Sequence, residues 1–133
     1  MSDETGETLQ AMVARWLVYA QADLAVAQLV DDARVQPEIL VFHAQQAAEK
    51  ALKALLVQAQ VQVPRTHVIA SLLVLCGDAG YAGVETLDEA AVLTQYAVQT
   101  RYPGVWEPVT RDEAREAAAL AALVLAWVES QRR

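Results

Sequence analysis

The stretch that decides the fold is residues 37–58, which read PEILVFHAQQAAEKALKALLVQ. Pro37 suits the first position of a helix, and no Gly or second Pro interrupts the rest of the stretch. At 100° per residue, apolar side chains cover more than half of the helix circumference. These apolar positions are Leu40, Ala44, Ala47, Ala48, Ala51, Leu52 and Leu55. The pattern therefore predicts a long amphipathic helix.

Similar patterns on either side predict further helices. Thr86-Leu-Asp-Glu89 and Thr110-Arg-Asp-Glu113 each have the form of a capping box, and Thr66 suits the cap of a short helix. No sustained alternation of apolar and polar residues bounded by hairpin turns indicates strands. We expect five helices, at 8–31, 37–58, 66–75, 86 to just before 103, and 110 onward. The expected fold class is all-α, an antiparallel helical bundle.

Length and charge limit the function classes. The 133 residues suit one domain, with residues 1–7 as an N-terminal tail. The formal charge of −7 argues against a protein that wraps DNA, although a local basic site stays open. The acidic start lacks the basic region of a signal peptide, and the longest apolar run, 117–128, is far short of the roughly 20 residues of a membrane span. With the single Cys76, this predicts a cytoplasmic protein without a membrane partner.

The predicted helix at 37–58 also has a polar arc. It contains His43, Gln45, Gln46, Glu49, Lys50 and Lys53. One interpretation is a solvated face, in which Glu49 and Lys53 form an ordinary pair four residues apart. However, Phe42 lies inside the arc, and an aromatic ring among charges suggests a surface that contacts a second subunit or a ligand.

Two positions outside this helix are candidate site residues. In the fourth predicted helix, an apolar stripe leads to Arg101. The stripe consists of Leu87, Ala90, Ala91, Thr94, Ala97 and Val98. Arg101 is either a cation at a helix end or the partner of a phosphate or carboxylate, for which Glu49 is the preferred acceptor within the chain. His67 is either a general base or phosphate contact, or a residue with only local hydrogen bonds.

Several common site motifs are absent from the sequence. Two widely spaced histidines and one cysteine argue against a zinc site, and no Glu-x-x-His occurs for a di-metal bundle. No phosphate-binding P-loop, dinucleotide fingerprint or Gly-x-Ser-x-Gly occurs. We therefore expect no metal and no cofactor.

Three segments resemble the prokaryotic HEPN family. Residues 42–56, FHAQQAAEKALKALL, are similar to the family's second helix. Pro64-Arg-Thr-His67, followed by Leu72-Leu73, resembles its Pro-x-Thr-His segment. Tyr96 with Thr100-Arg-Tyr-Pro103 resembles its Arg-Tyr-Pro segment, and Trp16 with Ala22-Asp-Leu24 fits its first helix. The resemblance spans about residues 8–130.

The resemblance implies a helical bundle that forms a homodimer. Many members of the family partner a minimal nucleotidyltransferase, often as a toxin–antitoxin pair, and the Arg-Tyr-Pro type is linked to nucleotide binding. Others are metal-independent ribonucleases with an Arg-x4–6-His motif shared across the dimer. Here both histidines precede Arg101, so we expect little or no ribonuclease activity.

The resulting prediction is a HEPN protein that binds a nucleotide or RNA phosphate and partners a minimal nucleotidyltransferase. Arg101 would hold phosphate, Lys50 and Lys53 would supply positive potential, and Tyr102 would stack on a base. The alternatives are a divergent ribonuclease, in which His67 is the base and Arg101 stabilises charge, and a purely structural dimeric adaptor. The candidate ligand-binding residues are Gln46, Glu49, Lys50, Lys53, Arg101 and Tyr102.

Overall fold

The computed structural model describes residues 7–97 and 107–133, and these residues form helices joined by short loops without any strand. The elements are α1 (Leu9–Ala27), α2 (Pro37–Gln58), α3 (Ile69–Asp78), a 3₁₀ helix (Val84–Tyr96) and α4 (Arg111–Ser130). The predicted all-α bundle is confirmed, and the bounds of α2 agree with those expected from the sequence.

Helix α2 lies at the centre of the bundle. It packs against α1 and α4 and also contacts α3 and the 3₁₀ helix. Thirteen of its 22 residues are buried, so it is covered on most of its circumference. The many alanines explain this packing, because a small side chain lets neighbouring helix backbones approach closely and costs little helix propensity. Polar groups on such a helix have to find partners inside the fold.

A threonine caps the N-terminus of α1 and another caps that of α4. The Oγ of Thr8 accepts the backbone N–H of Ala11 at 3.0 Å. The Oγ of Thr110 accepts the N–H of Glu113 at 3.0 Å, and the Glu113 carboxylate accepts the N–H of Thr110 at 3.1 Å. The second capping box predicted from the sequence is thereby confirmed, and it fixes the start of α4.

Three predicted boundaries of α1 and α3 were wrong. Helix α1 ends at Ala27 rather than near Asp31, because the chain enters a series of turns at Gln28. Helix α3 spans Ile69–Asp78 rather than 66–75, so Thr66 is not its cap. The Oγ of Thr66 instead accepts the N–H of Val68 in a local turn. The segment before α3 is therefore extended and reaches toward α2.

The prediction for the fourth helix was wrong in its start and its type. The element is a 3₁₀ helix that begins at Val84 after Gly83, whose φ of +85° favours glycine. The Thr86 hydroxyl donates to the Gly83 carbonyl, so it does not form a capping box with Glu89. The buried side chains recur at every third residue, as the three-residue turn requires. They are Leu87, Ala90, Leu93 and Tyr96.

No helix within residues 7–97 and 107–133 combines the length and the hydropathy needed to cross a bilayer.

Candidate functional site on helix α2

Half of the polar arc of α2 is buried. Gln45 is 0% exposed, Glu49 is 5% exposed and Lys53 is 7% exposed. The interpretation of this arc as a solvated face was therefore wrong for these three residues. A buried charged side chain needs partners, since leaving it unpaired costs about 3 kcal/mol or more of folding free energy.

The partners of Glu49 come from α2 and from the segment before α3. Lys53 Nζ donates to Glu49 Oε2 at 2.9 Å, and Gln45 Nε2 donates to Oε1 at 2.9 Å. The imidazole Nδ1 of His67 lies 2.8 Å from the same Oε1. Gln45 Nε2 also donates to the His67 carbonyl at 3.1 Å, which ties that segment to α2. We call Gln45, Glu49, Lys53 and His67 the Glu49 cluster.

The geometry of the cluster presents the His67 ring to solvent. Its side chain is 66% exposed although Glu49 beneath it is buried. The contact to Glu49 engages Nδ1 and leaves the Nε2 edge without a partner among the described residues. A ring held in this way can accept a proton at Nε2 or, when protonated, donate a hydrogen bond to an anion. The hydrogen bonds of His67 are not only local, because its contact with Glu49 reaches 18 residues back along the chain.

Glu49 is kept ionised by its neighbours. Burial by itself raises the pKa of this carboxyl group. The hydrogen bonds from Gln45, Lys53 and His67 outweigh that effect, so its pKa lies below the usual value of 4.5. At neutral pH the Glu49 carboxylate is therefore a fixed negative charge that orients the His67 ring.

A second cluster forms where α1 meets α2. Asp23 of α1 is 9% exposed. His43 Nδ1 lies 2.8 Å from Asp23 Oδ1, and Lys50 Nζ donates to Oδ2 at 2.6 Å. We call Asp23, His43 and Lys50 the Asp23 cluster. Both clusters contain a buried carboxylate that holds one imidazole through Nδ1 and one ammonium group, and the Glu49 cluster has Gln45 in addition.

The structure divides the predicted site residues between these clusters. Glu49, Lys53 and His67 are brought together, and Gln46 joins them indirectly because its Nε2 donates to Gln45 Oε1 at 2.7 Å. Lys50 belongs to the other cluster. Each ammonium group is paired with a carboxylate, so neither lysine is an isolated positive charge, and the predicted role of both lysines in ligand binding stays a prediction.

Arg101 and Tyr102 lie outside the described residues, and so does the expected contact between Arg101 and Glu49. Of the stripe that led to Arg101, the 3₁₀ helix buries Leu87 and Ala90 but leaves Ala91, Thr94 and Ala97 only half-buried. Phe42 is half-buried, and its ring meets the His43 ring edge-on with centroids 5.3 Å apart.

Sequence reasoning missed Asp23, His43 and Gln45 as members of a site. Asp23 carried a detectable signal, because it occupies a core position of α1. The buried positions of α1 are Val13, Leu17, Ala20, Asp23 and Ala27. A carboxylate within an apolar stripe indicates a buried partner on the next helix. Nothing in the sequence pointed to Gln45 as a link between α2 and His67.

Within the described residues, no three His, Cys, Asp or Glu side chains are grouped so that they could hold a metal ion. No buried side-chain nitrogen or oxygen in the same part of the chain lacks a hydrogen-bond partner. The buried polar atoms of the two clusters are thus all hydrogen-bonded within the protein. The groups that can still bind a ligand are the solvent-facing edges of the two imidazoles and the Lys50 ammonium group.

Comparison with known proteins identifies the family. The model of the HEPN domain matches residues 13–131. The chain belongs to the HEPN family. The crystal structure of an archaeal HEPN homologue is 31% identical in sequence and superposes with a TM-score of 0.69, covering 90% of this chain and 96% of that one. No curated protein matches the chain significantly. Both clusters of this HEPN domain lie within the residues that the family model covers.

Proposed function

We propose that this HEPN domain binds a nucleotide or an RNA phosphate at the polar arc of α2 and partners a minimal nucleotidyltransferase, as one half of a toxin–antitoxin pair. The supporting observation is the Glu49 cluster, in which a buried ionised carboxylate holds an exposed imidazole. A buried ion pair is weak evidence for a role in stability, because apolar residues of similar size would often serve as well. The position of this carboxylate directly beneath an exposed ring favours a role in recognition.

The chemistry at the outward edge suits a phosphate ester. A protonated His67 donates from Nε2 to a phosphate oxygen, and a neutral ring accepts a hydrogen bond from a ribose hydroxyl. In this proposal Arg101 supplies the forked donor for phosphate and Tyr102 the stacking ring, as the resemblance in the Arg-Tyr-Pro segment implies. Charge repulsion from a chain of formal charge −7 makes such specific donors necessary.

The test combines titrations with thermal melts. Wild type, Arg101→Ala and Arg101→Lys are titrated with a panel of nucleotides and short RNAs. We expect Arg101→Ala to weaken binding and lower the melting temperature, and Arg101→Lys to restore binding only in part, because an ammonium group cannot reproduce the planar fork. Unchanged melting and unchanged titrations in Arg101→Ala would remove Arg101 from the site.

The partner is tested separately. The chain is co-expressed with a minimal nucleotidyltransferase encoded next to its own gene, and the mixture is analysed by size-exclusion chromatography. We expect a complex that elutes ahead of either protein alone. The absence of such a neighbouring gene, or two proteins that elute apart, would contradict the partnership and favour a structural adaptor.

The contact between Glu49 and His67 also favours a second candidate, a divergent ribonuclease. A carboxylate that orients an imidazole is the usual support of a general base. His67 Nε2 would take the proton of a ribose 2′-hydroxyl as that oxygen attacks phosphorus, and the 5′-oxygen would leave and gain a proton from solvent. Because the Arg-x4–6-His motif is absent, we expect little or no cleavage of RNA by the isolated protein. Metal-independent cleavage that His67→Ala abolishes would overturn this expectation.

A further inference from the structure

The Asp23 cluster needs an explanation that the proposed function does not provide. Asp23 occupies a core position of α1, where every other buried residue is apolar. Burying a carboxylate there requires two partners from α2, His43 and Lys50. A leucine or methionine at these positions would fill the seam between α1 and α2 without any desolvation cost. The charged arrangement therefore favours a functional role for the solvent-facing side of the cluster.

That solvent-facing side is accessible. The side chains of His43 and Lys50 are 25% and 28% exposed, while Asp23 is largely covered beneath them. Asp23 engages only Nδ1 of His43, so the Nε2 edge has no partner among the described residues. Asp23 takes one of the three N–H donors of Lys50, which leaves two for a ligand.

An exposed aromatic ring adjoins the cluster. Tyr19 lies one helical turn before Asp23 on α1 and is 58% exposed. Lys50 Nζ lies 6.0 Å from the centre of the Tyr19 ring. A shallow cleft lined by Arg15, Trp16 and Tyr19 continues the surface along α1. The patch thus combines an aromatic ring 6.0 Å from an ammonium group with an imidazole that shares the Asp23 carboxylate with that ammonium group.

We propose that Tyr19, His43 and Lys50 form a nucleotide subsite, in which the base stacks on Tyr19 and the phosphate accepts hydrogen bonds from Lys50 and, when the His43 ring is protonated, from its Nε2. Single-stranded nucleic acids are bound by this combination of stacking rings and cations. An aliphatic acid would contact Lys50 and His43 but would not stack on Tyr19. An apolar partner would contact the Tyr19 ring but would leave Lys50 and His43 without a ligand. This inference rests on the proposed nucleotide binding and extends it from the polar arc to α1.

The deciding variant is Tyr19→Leu, which keeps the apolar bulk and removes the ring. Because Tyr19 is exposed, the fold should persist, and circular dichroism verifies this. Binding of adenosine 5′-monophosphate and of ribose 5-phosphate is measured by calorimetry. We expect Tyr19→Leu to weaken the monophosphate roughly five- to 150-fold, as loss of one stacked base implies, without affecting ribose 5-phosphate. Tyr19→Trp should keep the wild-type affinity or improve it.

The matched control is Val18→Ala, which alters the neighbouring and equally exposed side chain and should leave both titrations unchanged. Equal weakening of both ligands by Tyr19→Leu, or none at all, would overturn the subsite. If Arg101→Ala weakens the monophosphate and Tyr19→Leu does not, the proposed function stands and only this inference fails. If neither ligand binds wild type, nucleotide binding fails and the subsite fails with it.

Discussion

The Glu49 cluster makes a quantitative prediction about stability. Replacing Glu49 by alanine removes the acceptor of Lys53, which is 7% exposed and then has no anionic partner in the cluster. Breaking a buried pair from one side costs about 3–5 kcal/mol, chiefly because the remaining charge stays buried and unpaired. For a domain of this length, each kcal/mol lowers the melting temperature by roughly 3–5 °C. We expect Glu49→Ala to melt roughly 9–25 °C below wild type.

A double substitution separates the cost of the unpaired charge from the value of the pair. Glu49→Leu combined with Lys53→Met replaces both charges with apolar side chains of similar size. Such replacements are often neutral or stabilising, so the double variant should be more stable than Glu49→Leu alone. Thermal melts followed by circular dichroism, and urea titrations, measure the stability of wild type, Glu49→Leu and the double variant. Arg115→Ala serves as the control, because its ion pairs with Asp31 and Asp112 are exposed and should contribute nothing measurable.

The pH dependence gives an independent check. Because the pKa of Glu49 is lowered in the folded protein, its contribution to stability is fully present above the usual value of 4.5 and is lost as the pH falls through the folded pKa. The difference in melting temperature between wild type and Glu49→Gln should therefore be largest near neutral pH and shrink below pH 4.5. Melting of Glu49→Ala within about 2 °C of wild type, or a double variant that is no more stable than Glu49→Leu alone, would refute the cost assigned to the unpaired Lys53 charge.

Further predictions concern assembly, the buried thiol and one turn. The face that contains Phe42 should be covered in a symmetric dimer, so light scattering should give twice the chain mass at micromolar concentration, and a monomer would contradict this. Burial raises the pKa of the Cys76 thiol to about 12, so a thiol reagent should modify it only under denaturing conditions, and fast labelling of the folded protein would disprove its burial. Gly83→Ala should cost about 1–2 kcal/mol in urea unfolding because φ is +85°, whereas the added Cβ would make ordinary van der Waals contact with Trp127 Nε1 at 3.4 Å. A wild-type midpoint would show that the turn relaxes.

The sequence by itself determined the elements whose signals are local. Pro37 and the uninterrupted apolar periodicity gave the bounds of α2, and the reciprocal hydrogen bonds between Thr110 and Glu113 involve residues only three apart. The similar motif at Thr86 led to a wrong prediction, because a threonine hydroxyl can also donate to a nearby carbonyl, as Thr86 does to Gly83. There the glycine turn at Gly83 starts a 3₁₀ helix whose period of three changes which side chains are buried.

The candidate site depended on tertiary structure. Helical spacing places Glu49 and Lys53 on one arc but does not state whether solvent or another segment covers that arc. His67 reaches Glu49 across 18 residues, and His43 reaches Asp23 across 20. Such contacts arise only when packing brings distant segments together, and burial then turns scattered polar residues into closed hydrogen-bonded networks, because an unpaired polar group inside the bundle would be too costly.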